Sequence, residues 1–515
     1  MKSSLLILSL FCISLLSDAV SVKSASELIE LFKNPSGSVL NFPIEILADL
    51  DFSQSGLTLP LGAGPADTCV PYSGVVHGNG HTVRGLVMKN SQTVGYSHAG
   101  LFCSLKDATV DNLVFDSSCS FDGTFAGSLS PIIAGSVSVV NVINQAAISG
   151  YEGVGGFVGR VMDMNNGGTV SFDGCTNKGG VTGNGYVGGF VGRVPENTGI
   201  HLVFSNSNNN GDITAKHYGS GGFVGHTYDC TSTVMNMSKC TNNGHIHGEY
   251  YVGGFVGYFT WGKTKTSTLV LSECTNNGIV TGDHILGGFV GKTLNINVDI
   301  SRSTNNGVVK NSAENYVGGF IGYVDSASNV KISNSTNNGD VLCEGSYAAG
   351  FVGYVSAYSY QNISLTILNS VNTATASVKK GMACGFTCIS PDYYSEVTSN
   401  VFNSINRGIV SASDYSYGIT NIVTKATNVV SIGGMTFSSE SNTFWGNSTK
   451  AEWFYGLKGK CLNCPADTTL IRFNSLTNAY EAVENGRRVD TLLNTVAKFE
   501  QYGMVWTRNL DLVDA

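Results

Sequence analysis

The chain has 515 residues, 13% of them charged, with 64 glycines, 9 prolines and a net charge of −8. The negative balance argues against nucleic acid and against anionic membrane surfaces as partners. Sparse charge with abundant glycine, β-branched and aromatic residues excludes a disordered Pro/Gly linker and points to many short strands joined by tight turns.

At the N-terminus, Met1 and Lys2 precede a short apolar run from Leu5 to Leu16, the pattern of a secretory signal over residues 1–19. That run is too short to span a membrane, and no later stretch approaches ~20 consecutive apolar residues. The expected product is secreted or extracellular, with no membrane span. Residues 20–40 read as an N-terminal cap, because Ser24-Ala25-Ser26-Glu27 matches a capping box and opens an apolar stripe through Leu28, Ile29, Leu31 and Phe32.

Residues 41–435 carry a repeat. Asn144, Asn177, Asn209, Asn242, Asn276, Asn305, Asn337, Asn372 and Asn406 follow one another at steps of 33, 32, 33, 34, 29, 32, 35 and 34 residues. Most stand in a Cys/Ser-Thr-Asn-Asn-Gly phrase. A Gly-Gly-Phe-Val-Gly phrase keeps the same beat through Phe157, Phe190, Phe223, Phe255, Phe289, Phe320, Phe351 and Phe386. A fixed period in this range is the signature of a repeat architecture. Residues 186–194, 201–204 and 212–214 read as three short strands separated by turns, which fits one coil of a parallel β-helix and not a helical repeat.

Coils stacked at ~4.8 Å place like residues on top of one another. The phenylalanines then form an inward column and the asparagine amides a ladder. The asparagine turn tolerates left-handed backbone, and the glycine after it (Gly179, Gly211, Gly244 and their equivalents) is expected at positive φ. A column holding Cys175, Cys240 and Cys274, but Ser207, Ser303, Ser335, Ser370 and Ser404 in other coils, reads as a small buried filler. Of the remaining cysteines only Cys384/Cys388 and Cys461/Cys464 look like local pairs, and export favours a disulfide over a metal at the latter.

Residues 436–515 read as a C-terminal cap module containing Trp445, Trp453 and a helical pattern over residues 478–501. The expected fold is an all-β solenoid: a single-stranded parallel β-helix with an N-terminal cap helix and a small α/β C-terminal cap.

The phrases Val187-Gly188-Gly189-Phe190-Val191-Gly192 and Val252-Gly253-Gly254-Phe255-Val256-Gly257, with their Asn-Asn-Gly turns, resemble the GLUG repeat. Gly78-Asn79-Gly80-His81-Thr82-Val83 and Gly100-Leu101-Phe102 are similar to it as well. The resemblance covers roughly residues 70–425 in eight registered copies. It implies a right-handed parallel β-helix and a secreted or surface protein of a bacterium or protist, often beside adhesin or peptidase modules. It implies no single activity, and the His-Glu-x-x-His motif of a zinc-peptidase relative is absent.

The acids are scattered, without the paired carboxylates of a glycosidase or the clustered Asp of a calcium-dependent lyase. His217, His226, His245 and His247 fall within two coils and read as solvated loop histidines before a metal site. No catalytic residue, metal centre or cofactor is therefore expected. Four residues before the repeat Phe stand Tyr186, Tyr251, Tyr316 and Tyr347; three residues after it stand Arg193, Tyr258, Tyr323 and Tyr354. Tyr251, Tyr258, Tyr316, Tyr323 and Arg193 are the ligand-binding candidates if these columns face outward, against the alternative that they simply stack along the sheet. The function expected is a secreted, non-enzymatic, adhesin-like or ligand-binding rod whose partner is a glycan or a cell-surface protein. The alternative is a polysaccharide-active β-helix enzyme, a lyase or glycoside hydrolase.

Overall fold

In the computed structural model, the described residues run from 19 to 492, apart from 34–38, 65–67, 90–97, 163–166, 196–198, 262–266, 314, 357–361, 391–396, 422–424, 432–434, 438–441, 448–451, 458–468, 475–478 and 485–486. The chain winds as a parallel β-solenoid with almost no helix. One turn threads a first-face strand Val191–Pro195, a second-face strand Ile200–Ser205, the two-residue strand Asn208–Asn209 and a third-face strand Ile213–Gly221. Each pairs in parallel with its counterpart one turn on: Arg193 with His226, Phe204 with Met237, Asn209 with Asn242 and Ile213 with Ile246. Second-face strands from Ser104–Asp111 to Val397–Asn406 continue this stacking through about ten turns, roughly 48 Å of axis at ~4.8 Å per turn.

Alternation decides which side chains enter. Along Ile200–Ser205, Leu202 and Phe204 are buried while His201 is exposed. Phe157, Phe190, Phe223, Phe255, Phe289, Phe320, Phe351 and Phe386 are all fully buried, with neighbouring ring centroids 4.6–5.1 Å apart. Each ring removes about 1.5–3 kcal/mol of apolar surface from water and adds stacking of about 0.5–1.5 kcal/mol.

The nine asparagines line one buried corner. Each Nδ2 donates to the Oδ1 of the next, from Asn144 to Asn177 at 2.8 Å through to Asn372 and Asn406 at 2.7 Å. The same Nδ2 also donates to the carbonyl two residues on, as Asn276 does to Gly278 at 3.0 Å. The second glycine of the Gly-Gly-Phe phrase lies against this amide. A Cβ on Gly254 would stand 2.7 Å from Asn276 Oδ1 and 2.0 Å from the Gly288 carbonyl oxygen. The two repeated phrases are thus halves of one packing unit.

Two expectations about the corner are corrected. Gly179, Gly211, Gly244 and their equivalents lie outside the left-handed region. They are glycine because successive turns touch there: a Cβ on Gly211 would meet the Gly179 carbonyl oxygen at 2.0 Å. Nor do the ladder asparagines take left-handed backbone. That falls three residues earlier, at Asn141, Gly174, Asn206, Lys239, Glu273, Arg302, Asn334, Asn369 and Asn403, with φ of 46–64°. Glycine and asparagine tolerate this region best, whereas Lys239, Glu273 and Arg302 hold it at some cost.

Helix Ala25–Phe32 starts at Ser24, whose Oγ accepts from Glu27 N–H at 3.2 Å, while the Glu27 carboxylate accepts from Lys23 N–H at 2.7 Å. It buries Ala25, Leu28 and Phe32, and the Phe32 ring meets Phe42, Tyr72 and Phe102 at 5.8–6.0 Å. Beyond the solenoid, a helical pattern is expected over 478–501; its described residues instead form an antiparallel strand pair, Ala479–Glu484 with Arg487–Leu492, and 493–501 lie outside the described residues. The sequence between them is Asn485-Gly486, the strongest short hairpin signal, and it outweighs the apolar spacing. Strands Asn442–Asn447, Glu452–Leu457 and Thr469–Asn474 join this antiparallel set, so the described part of the C-terminal module is β and not α/β.

Candidate functional site

The tyrosine and cation columns meet each other. Arg160, Arg193, His226, Tyr258, Lys292, Tyr323 and Tyr354 stack in register up the first face. The Gly-Gly-Phe-Val-Gly corner folds the chain back so sharply that residues four before and three after the Phe come together. Arg193 lies over the Tyr186 ring at 4.8 Å, Tyr258 on Tyr251 at 4.6 Å, Tyr323 on Tyr316 at 5.3 Å and Tyr354 on Tyr347 at 4.8 Å. His226 is sandwiched between Tyr186 at 4.7 Å and Tyr258 at 5.1 Å. Lys292 Nζ sits 4.6 Å from the Tyr323 centroid, 5.6 Å from those of Tyr251 and Tyr258, and 2.9 Å from Asp325 Oδ2.

The outcome is a packed ladder and not the open platform weighed from the sequence. Tyr323 is 5% and His226 6% exposed, and Tyr251, Tyr258, Tyr316 and Arg193 are half-buried. The ring faces are spent on one another, so a sugar has few of them left to stack on. Burial raises the phenol pKa of Tyr258, with Lys292 opposing, and burial also raises that of Tyr251. Burial, with the Arg193 charge, pushes His226 down to about 3, so its imidazole is neutral at ordinary pH. Tyr186 and Tyr251 both hold left-handed backbone, φ 56° and 53°, an uncommon conformation for a bulky residue.

Exposed rings rise beside this ladder, on a ridge that the sequence analysis missed. On the third face the register shifts between Gly183/Gly185 and between Ala215/Tyr218, so the strands bulge outward. Tyr218 is 54% exposed and stacks at 6.1 Å on Tyr250, whose ring lies 4.2 Å from His284 at an interplanar angle of 14°. Tyr151, 62% exposed, stands on the same face. His217 Nδ1 lies 2.8 Å from Glu249 Oε2 beside the stripe, and Asn315 Nδ2 donates to His284 Nδ1 at 2.8 Å. Further along the ridge an open depression of about 370 Å³ is lined by Tyr347, Lys380, Met382 and Asp414 together with Gly345, Ser346 and Gly381. The signal for the ridge was the change of residue type from coil to coil between two constant glycines, which a search for constant columns passes over.

The remaining titratable groups are dispersed. His245 Nε2 and His247 Nδ1 both contact Thr281 Oγ1, at 2.6 and 3.0 Å, apart from the buried His226 and the paired His217. Glu152 faces Arg193, Glu344 faces Lys379, and Asp299 faces Lys331 at 3.8 Å. Among the described residues, one group brings metal-binding atoms together: Cys69, His98 and Cys103, within 4.8 Å of one another, with the two cysteines disulfide-bonded. The second disulfide is Cys384–Cys388. Cys175, Cys240 and Cys274 are free and buried in the filler column.

No protein-family model matches the chain, and no curated protein matches it. Among solved structures, it is similar to a protein of Bacteroides ovatus provisionally named an immunoglobulin A1 protease, at 16% identity and a TM-score of 0.40, over 51% of this chain and 77% of that one.

Proposed function

We propose that this chain is an exported, non-enzymatic, adhesin-like rod that binds a glycan, free or carried on a surface protein, along the third-face ridge. The observation that carries the reading is the stripe of exposed Tyr218 with half-buried Tyr250 and His284, with His217 and Glu249 paired at its side. Rigid rings whose edges reach water, with polar atoms beside them, suit the hydroxyls and edges of sugar rings, and the strands that carry them are paired to neighbouring turns. On the same reading the repeat is of the GLUG type and right-handed, and residues 1–19 are a signal. Helix Ala25–Phe32 and the strands after residue 436 then cover the open ends of the solenoid against edge-to-edge pairing.

A glycan array probed with purified protein, followed by product analysis on the polysaccharides it binds, tests this. Retention on a defined set of glycans without release of sugars is expected. Release of reducing or unsaturated sugars assigns the alternative, a lyase or glycoside hydrolase.

A further inference from the structure

The scaffold places Cys69, His98 and Cys103 independently of the bond between the sulfurs. Backbone bonds hold the residues on either side of Cys69, with Gly64 N–H donating to the Thr68 carbonyl at 2.7 Å and Val70 N–H to the Gly62 carbonyl at 2.9 Å. Cys103 is tied to the same stretch through its own N–H, which donates to the Leu61 carbonyl at 2.8 Å. His98 is fixed by strand pairing opposite Phe125, on whose ring it stacks at 6.2 Å. Two sulfurs and an imidazole nitrogen therefore stay together when the disulfide opens.

We propose that these three residues form a redox-gated site for a thiophilic divalent cation of the zinc class. In the oxidised chain the sulfurs are bonded to each other and the site is closed. A thiol reductant supplies two electrons and two protons, becomes a disulfide itself, and leaves two thiols 34 residues apart in sequence, one turn of the solenoid. The cation displaces both thiol protons and binds two thiolates and one neutral imidazole nitrogen, with water in the fourth position. Bonds of ~2.0–2.3 Å put tetrahedral ligand atoms roughly 3.5–3.8 Å apart, so after reduction the sulfurs separate by about 1.7 Å from the ~2.05 Å of the bond, and the imidazole nitrogen closes by no more than about 1 Å from the 4.8 Å limit. The thiols of Cys119, Cys175, Cys230, Cys240, Cys274 and Cys343 are buried in the core and do not compete.

Cobalt(II) is the probe, titrated into the full chain reduced with a phosphine. A Cys384→Ser/Cys388→Ser/Cys461→Ser/Cys464→Ser background removes the second disulfide and the Cys461/Cys464 pair, which lies outside the described residues. Reduced protein should gain a thiolate-to-cobalt absorption band at one equivalent, and unreduced protein should show none. Cys103→Ser should abolish the band, and His98→Gln should weaken binding at least tenfold with unchanged circular dichroism. Cys69→Ser, at the more exposed sulfur, replaces Cys103→Ser if that variant does not fold. A band of equal strength in the cysteine variant or in unreduced protein overturns the proposal, as does unchanged affinity in His98→Gln.

Discussion

Asn276→Ala removes one rung of the buried amide ladder, and its cost can be worked from the bonds. Asn276 Nδ2 donates to Asn305 Oδ1 at 2.8 Å and to the Gly278 carbonyl at 3.0 Å, while its Oδ1 accepts from Asn242 Nδ2 at 2.8 Å. Alanine deletes all three and leaves the Asn305 Oδ1 and the Gly278 carbonyl without that donor, in a corner water does not reach. At about 1 kcal/mol per net bond, plus at least about 1 kcal/mol for each of the two buried oxygens left unmatched, the loss should be about 5 kcal/mol or more. Asn277→Ala is the internal control. Its amide also bridges two turns, to Asn243 at 2.8 Å and from Asn306 at 2.9 Å, but on the exposed side, where water replaces both bonds. It should cost less than about 1 kcal/mol. Urea unfolding followed by far-ultraviolet circular dichroism compares the two midpoints. Equal destabilisation by both substitutions would refute the reasoning that burial makes the inner ladder decisive.

Replacing Tyr251, Tyr258, Tyr316 and Tyr323 together with Ser should lower the melting temperature sharply in thermal denaturation, because it empties the lateral ladder. Lys292→Met leaves Asp325 without its cation in a largely buried pair and should cost about 3–5 kcal/mol in urea unfolding, with part restored by adding Asp325→Asn. His226 gives a pH dependence. Its folded pKa of about 3 lies below the unfolded 6.5, so the unfolded state binds the extra proton and stability should fall as pH drops from about 6.5 towards 3. His226→Phe should flatten that part of a pH series of melting temperatures.

The inward columns were legible because a side chain stacked on its own copy is constrained from above and below, so Phe190 and Asn209 repeat almost unchanged. What depended on the path of the chain between columns was not legible. The sharpness of the glycine corner, which turns Tyr251 onto Tyr258, comes from backbone contacts such as that of Gly253 with the Val256 carbonyl, where a Cβ would stand 2.0 Å from the oxygen. Left-handed backbone at Lys239, Glu273 and Arg302 left no mark in residue type. The Cys69–Cys103 bridge falls where the repeat has degenerated, although its 34-residue separation is one period. The ridge was overlooked because Tyr218, Tyr250 and His284 belong to no constant column.

The most direct test of the binding account is the affinity of Tyr218→Ala/Tyr250→Ala for the best glycan from the array, measured by titration calorimetry beside the melting temperature of the same protein. The account predicts at least tenfold weaker binding, about 1.4 kcal/mol, with the melting temperature almost unchanged. Undiminished affinity in a folded double variant would contradict it.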